Sequence, residues 1–216
     1  QMHQEALDRA VSEAVVGLIQ GLVTRLDPQI PAVLAGHFSV DSAHWGSERN
    51  IMIGRAVAIP LSALAATVWD YVALGHIHQH QNLNTGSMPP VVYAGSLERV
   101  DFGEEKQPKG FCWVEVQRGA TTWRYIEVPA RPFITIRADV RHEAHPLRAI
   151  ERAIAGCDLA DAVARVTVDE GMADQVAGGE LVELRERVIG AADHQQFVAG
   201  GRAALDRLLL GGDLGE

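Results

Sequence analysis

Apolar residues recur at helical spacing near the start of the chain, at Leu7, Val11, Val15, Leu18, Ile19, Leu22 and Leu26, with Asp8, Arg9, Glu13 and Gln20 between them. The pattern predicts an amphipathic helix that stops at Asp27-Pro28, because a proline drives the residue before it out of helical geometry. A helix beside a sheet turns such a stripe inward, so the stripe is assigned to the protein's own core. Two short apolar runs of buried-strand type follow. Residues 32–35 close on Gly36-His37, and residues 71–74 close on Gly75-His76, with Ile77 and His78 next. Residues 39–50 between them read as a polar loop. After His78 the pattern turns to β, with strands at 91–94, 110–116 and 122–128, the last two a hairpin turning at Arg118-Gly119.

Pro129 and Pro132 bracket a boundary, which divides the chain into 1–130 and 131–216. The second part reads as a strand (133–138), a helix (146–155), a strand (162–168), a helix (180–189) and a weak apolar run near Phe197. Helix and buried strand in alternation mark a layered α/β domain, whose strand-end loops carry the chemistry because a rigid sheet positions them. The smaller part reads as α+β or α/β and is of ordinary domain size.

Composition narrows the function classes. No apolar run approaches the roughly 18 residues of a membrane span, and Cys112 and Cys157 form no CxxC pair, so the reading is a chain of the reducing cytoplasm without a disulfide framework. A net charge of −9 opposes the usual basic nucleic-acid binder, so a polyanionic partner needs a local patch or metal ions. The chain opens on Gln1 and Met2, already inside a helical pattern, and is read as a piece of a longer protein.

The histidines at the strand ends are the candidate chemistry. In an extended segment His76 and His78 project from one face about 6–7 Å apart, a reach that suits two metals about 3.5–4 Å from one another. Neutral imidazole is a good ligand for manganese, iron, zinc or nickel. His37, at the end of the other strand, could complete a convergent set or serve as a hydrogen-bonded core residue. His44 and His80 lie just outside these positions and, with His3, His142, His145 and His194, read as solvated surface residues. Glu98, Arg99, Asp101, Glu104 and Glu105 form a stretch of mixed sign, which builds ion pairs around a turn more readily than a phosphate track. Arg131, Arg137, Arg141, Arg148 and Arg152 concentrate at the start of the second part, where they suit either phosphate contacts or a solvated helix.

The segment Asp70-Tyr71-Val72-Ala73-Leu74-Gly75-His76-Ile77-His78, the run from Pro90 to Glu105 through Gly95-Ser96-Leu97-Glu98-Arg99, and Lys109-Gly110-Phe111 closely resemble the SbcD-type nuclease subunits of the calcineurin-like metallophosphoesterase family. The resemblance spans about residues 30–130 and implies the second half of a metallophosphoesterase α/β sandwich followed by a small capping domain. It implies that His37 and His76 bind one metal and His78 the other, the pair usually being manganese. It also implies DNA as substrate, metal-assisted phosphodiester hydrolysis in double-strand break repair, an SbcC-type ATPase as partner and a homodimer of the full-length protein. The family's Asp-x-His, Gly-Asp-x-x-Asp and Gly-Asn-His-Asp motifs do not occur in this sequence. The chain therefore carries no catalytic residue of its own on this reading and by itself is expected to be inactive, with Asp41 and Asp70 the acidic residues that could stand in for the missing ligands. Two other readings remain open at this level: a metallophosphoesterase acting on a substrate other than DNA, and a non-catalytic DNA-binding or scaffolding module.

Overall fold

The computed structural model describes residues 2–46, 57–169 and 196–200. By compactness the chain divides into two units, 1–130 and 131–216.

The first unit opens with helix α1 (Met2–Val23), followed by strands β1 (Val33–His37), β2 (Ser39–Val40) and β3 (Ala58–Ile59), the short helix α2 (Leu61–Leu64), and strands β4 (Tyr71–Gly75), β5 (Gln81–Asn82) and β6 (Val91–Tyr93). Four strands form one sheet in the order β1-β4-β6-β5, of which β1, β4 and β6 are parallel. A separate hairpin, β7 (Gly110–Glu115) with β8 (Thr122–Glu127), completes the unit. Its core joins Leu34, Val72, Leu74, Val91 and Tyr93 of the sheet to Ile19 of α1 and Leu64 of α2.

Three expectations are corrected here. The stripe on α1 is only partly core: Ile19 is buried and Val15, Val16 and Val23 pack beside it, whereas Leu7, Val11, Leu18 and Leu22 are exposed. The helix turns one side to β3 and α2, and Ser12 anchors it by donating to the Ala58 carbonyl at 3.0 Å. Strand β1 is not buried on both faces, since Leu34 points into the core while Val33 and Ala35 are exposed, as befits the edge of the sheet. The predicted polar loop begins instead with β2, whose Ser39 and Val40 are buried and pair with β3.

In the second unit β9 (Phe133–Asp139), helix α3 (Pro146–Ala155) and β10 (Val163–Asp169) form a βαβ unit with parallel strands, and β11 (Gln196–Gly200) adds antiparallel to β10. Pro146 occupies the first turn of α3, where its missing N–H costs nothing. Ile150 and Ile154 bury that helix against Ile136, Val166 and Val168. The apolar run near Phe197 is β11. The predicted helix at 180–189 lies outside the described residues. The whole is mixed α/β, and among the described residues no helix is long and apolar enough to cross a membrane.

Candidate metal centre

Because β1 and β4 run parallel with His37 opposite Gly75, their C-terminal ends deliver His37 and the His76–His78 segment to the same end of the sheet. A side chain at position 75 would place its Cβ 2.9 Å from Nδ1 of His37, so Gly75 makes the room in which that ring lies. The His37 and His76 rings meet edge to face with centroids 5.3 Å apart, and Trp45 packs against His76 on the same terms at 5.7 Å. Gln81 steadies the Trp45 segment by accepting from the His44 N–H (2.8 Å) and donating to the His44 carbonyl (2.9 Å). His76 has φ of 101°, a conformation that costs a residue with a Cβ about 1–3 kcal/mol and is typically retained where function requires it.

His78 is held differently. Its Nδ1 lies 2.7 Å from Oε1 of Glu104, a residue with no exposed side chain. The other carboxylate oxygen of Glu104 accepts from Nζ of the equally buried Lys109 at 2.8 Å and from the Val100 N–H at 3.2 Å. Burial raises the pKa of the Glu104 carboxyl, but the bonds from Lys109, His78 and Val100 outweigh it and hold the group below its ordinary value. Arg99 clasps the loop that carries Glu104, donating to the carbonyls of Glu104, Gln107 and Ala130. The stretch from Glu98 to Glu105 is thus structural, as its mixed charges predict, yet Glu104 near its end is buried against a candidate ligand. Nothing in the residue pattern signals this, since an acid and a lysine five residues apart look the same on a solvated turn.

Gly95 closes the site from the next strand end. At φ of 82° it brings its neighbour Ser96 to donate to the His78 carbonyl at 3.1 Å. A Cβ there would lie 2.9 Å from the His78 carbonyl oxygen and 3.0 Å from the His80 nitrogen, both backbone atoms that cannot step aside. Gly95→Ala is expected to cost about 2 kcal/mol or more by urea unfolding. A loss below about 0.5 kcal/mol, the level of an ordinary surface substitution, would show that the loop yields and that this contact does not set the site.

His80 is not the solvated residue expected. It is half-buried, stacked on Tyr125 at 4.1 Å with rings 11° from parallel, edge-on to Trp123, and its Nδ1 lies 2.9 Å from the Tyr93 carbonyl oxygen. A carbonyl only accepts, so Nδ1 is the donor. Alternate residues of β8 present both aromatics to it, a pattern visible in the sequence only once the hairpin is placed. Tyr93 also reaches the other histidine strand, its hydroxyl donating to the Phe38 carbonyl at 2.7 Å, and burial pushes that phenol up to about 12. His44 is exposed, as expected.

Asp70 is engaged elsewhere. It precedes β4 at the end opposite His76, about 20 Å away along an extended chain of six residues. Its carboxylate accepts from the N–H groups of Ala32 and Gly119, both at 2.8 Å, and from Arg118 at 2.9 Å. Asp41, which is exposed, accepts from the Leu61 N–H at 3.2 Å where α2 begins. Among the described residues no group of three or more His, Cys, Asp or Glu side chains converges on one point where a metal could sit. The site thus offers the imidazoles of His37 and His76 side by side and the carboxylate-backed imidazole of His78, without a bridging carboxylate in that set.

In the second unit Arg131, Arg137 and Arg148 are exposed. Arg141 is exposed too, but its guanidinium bonds Asp139 at 2.9 Å and approaches Asp169 at 3.8 Å. Arg152 pairs with Glu143 at 3.0 Å.

No protein-family model matches the chain. It is 28% identical over 133 residues to the SbcD subunit of the SbcCD nuclease of Staphylococcus saprophyticus, a stretch that makes up 61% of this chain and 31% of that protein. The matched stretch thus covers about a third of that relative's length. Over the shared stretch it is a distant relative of the SbcD nuclease subunits.

Proposed function

We propose that the chain is part of a metal-dependent DNA nuclease of the SbcCD type, in which residues 1–130 belong to a metallophosphoesterase sandwich and residues 131–216 form a DNA-contacting cap. The observation that carries this reading is the delivery of His37, His76 and His78 to one end of the parallel sheet, in a chain distantly related to a nuclease subunit. His37 and His76 would hold one ion and His78 a second. Divalent ions, manganese above all, would supply electrophilic activation of the phosphodiester and neutralise the charge that builds up in its hydrolysis. The chain's own part is to fix the imidazoles: Gly75 makes room for His37, Trp45 flanks His76, and Glu104 backs His78. The carboxylates needed to hold two cations close together would come from other parts of the whole protein. Arg131, Arg137, Arg141 and Arg148 are exposed and would contact DNA phosphates, with Arg141 also bound to Asp139. The whole protein would act in the cytoplasm with an SbcC-type ATPase, and as a homodimer.

Full-length protein is expected to hydrolyse DNA with manganese and to do little with magnesium, since imidazole suits transition ions and magnesium prefers oxygen ligands. Equal rates in the two metals at matched concentrations would reject the assignment of the three histidines as ligands.

A further inference from the structure

We infer that Glu104 is a positioning residue for His78, setting the tautomer in which Nδ1 carries the proton and Nε2 carries the lone pair a metal ion requires. The inference rests on the reading of His78 as a metal ligand and goes beyond it by assigning what makes that nitrogen available.

Which atoms can donate decides where the proton lies. Lys109 Nζ lies 2.8 Å from Oε2 of Glu104, and the Val100 N–H points at the same oxygen. Both are donors only, so Oε2 has to be an acceptor. Lys109 has no exposed side-chain surface and spends its other protons on Ser96 Oγ at 2.8 Å and Gln107 Oε1 at 3.3 Å, so its charge stays beside Glu104. A carboxylate balanced by that ammonium carries no proton, and Oε1 therefore also accepts. The His78 nitrogen 2.7 Å away must then be the donor. A histidine free in water prefers no such assignment strongly, whereas metal-bound histidines generally give their second N–H to a carboxylate or carbonyl in this way. The same loop holds the residue at its backbone, through Ser96 N–H to the His78 carbonyl, so ring and main chain are fixed together.

Glu104→Gln tests the inference sharply because it is isosteric. Lys109 and Val100 still demand an acceptor on their side, so the amide oxygen takes that place and the NH2 turns toward His78. Nδ1 must then accept, and the proton moves to Nε2. The tautomer is read from the imidazole nitrogen resonances of the metal-free full-length protein labelled with nitrogen-15, and manganese alone is then added while broadening of the His78 signals is followed. The expected result is a protonated Nδ1 in the wild type, a protonated Nε2 in Glu104→Gln, and about a 10- to 100-fold weaker manganese response in the variant. A merely structural Glu104 would not invert the tautomer. A wild-type spectrum with Nε2 protonated overturns the inference without any variant, so it remains testable even if Glu104→Gln does not fold. An unchanged tautomer in a folded variant overturns it as well. A tautomer that inverts in a chain whose His78 does not respond to manganese upholds the lock and overturns the metal reading alone.

Discussion

In the full-length protein His78→Ala is expected to lower DNA hydrolysis by more than about 100-fold, while His80→Ala leaves it within a few-fold. Losing even the carboxylate behind a metal-bound histidine costs about 10–100-fold in affinity or activity, and losing the ligand itself should exceed that. His80 sits two residues further along and looks equivalent in sequence, but its ring faces Tyr125 and Trp123 and its Nδ1 serves the Tyr93 carbonyl. Removing it forfeits an aromatic contact and a half-buried hydrogen bond, together about 2 kcal/mol of stability. The two variants should therefore separate: one folded with almost no turnover, the other less stable with turnover retained. His78→Ala leaves Glu104 paired with Lys109 and Val100, so its fold should survive. Urea unfolding alongside the nuclease assay reads both quantities. Comparable activity losses in the two variants would mean that the metal site is misplaced.

The contrast between His78 and His80 shows which features can be read from a chain and which cannot. Period and punctuation place strands: the apolar runs that end on Gly36-His37 and Gly75-His76 become β1 and β4, and the run bounded by Arg118-Gly119 becomes the β7–β8 hairpin. These are local properties, set by steric preference and burial along one segment. Strands β2 and β3 escape the same reading because each has two residues, too few for a period, and each exists only because the other lies beside it. The exposed half of the α1 stripe escapes it for a related reason, since periodicity reports that a face is apolar but not what covers it. At the site, the residue types of His37, His76 and His78 are enough to suggest ligands. The partners around them, Glu104 26 positions from His78 and Trp45 against His76, depend on which strand ends meet.

Asp70 makes the same point about acidic residues, and Asp70→Asn is expected to cost about 2–3 kcal/mol at neutral pH. The carboxylate ties two other pieces of chain to the start of β4: Ala32 before β1, and the hairpin turn through the Gly119 N–H and the guanidinium of Arg118, which also reaches the carbonyls of Pro28 and Val68. Every one of these partners is a donor. An asparagine of the same shape has one acceptor and one donor end, so in either orientation its NH2 faces an N–H, leaving a buried donor unsatisfied and Arg118 without its counter-charge. Arg118 is about one-third exposed, which keeps the cost below that of a fully buried pair. Burial alone would raise the Asp70 pKa, but the bonds from Gly119, Ala32 and Arg118 prevail and hold it below the ordinary 3.8. A pKa depressed in the folded state contributes stability in full above the unfolded value, and that contribution fades as pH falls through the folded one. The difference between wild type and Asp70→Asn should therefore hold steady from neutral pH down to about pH 5 and shrink below the ordinary carboxylate value. Urea unfolding of both proteins across that range measures it. A gap that stays constant into strong acid would mean that the ionised carboxylate is not what joins the hairpin turn to the strand starts, and a gap under about 1 kcal/mol at neutral pH would mean that water supplies the bonds instead.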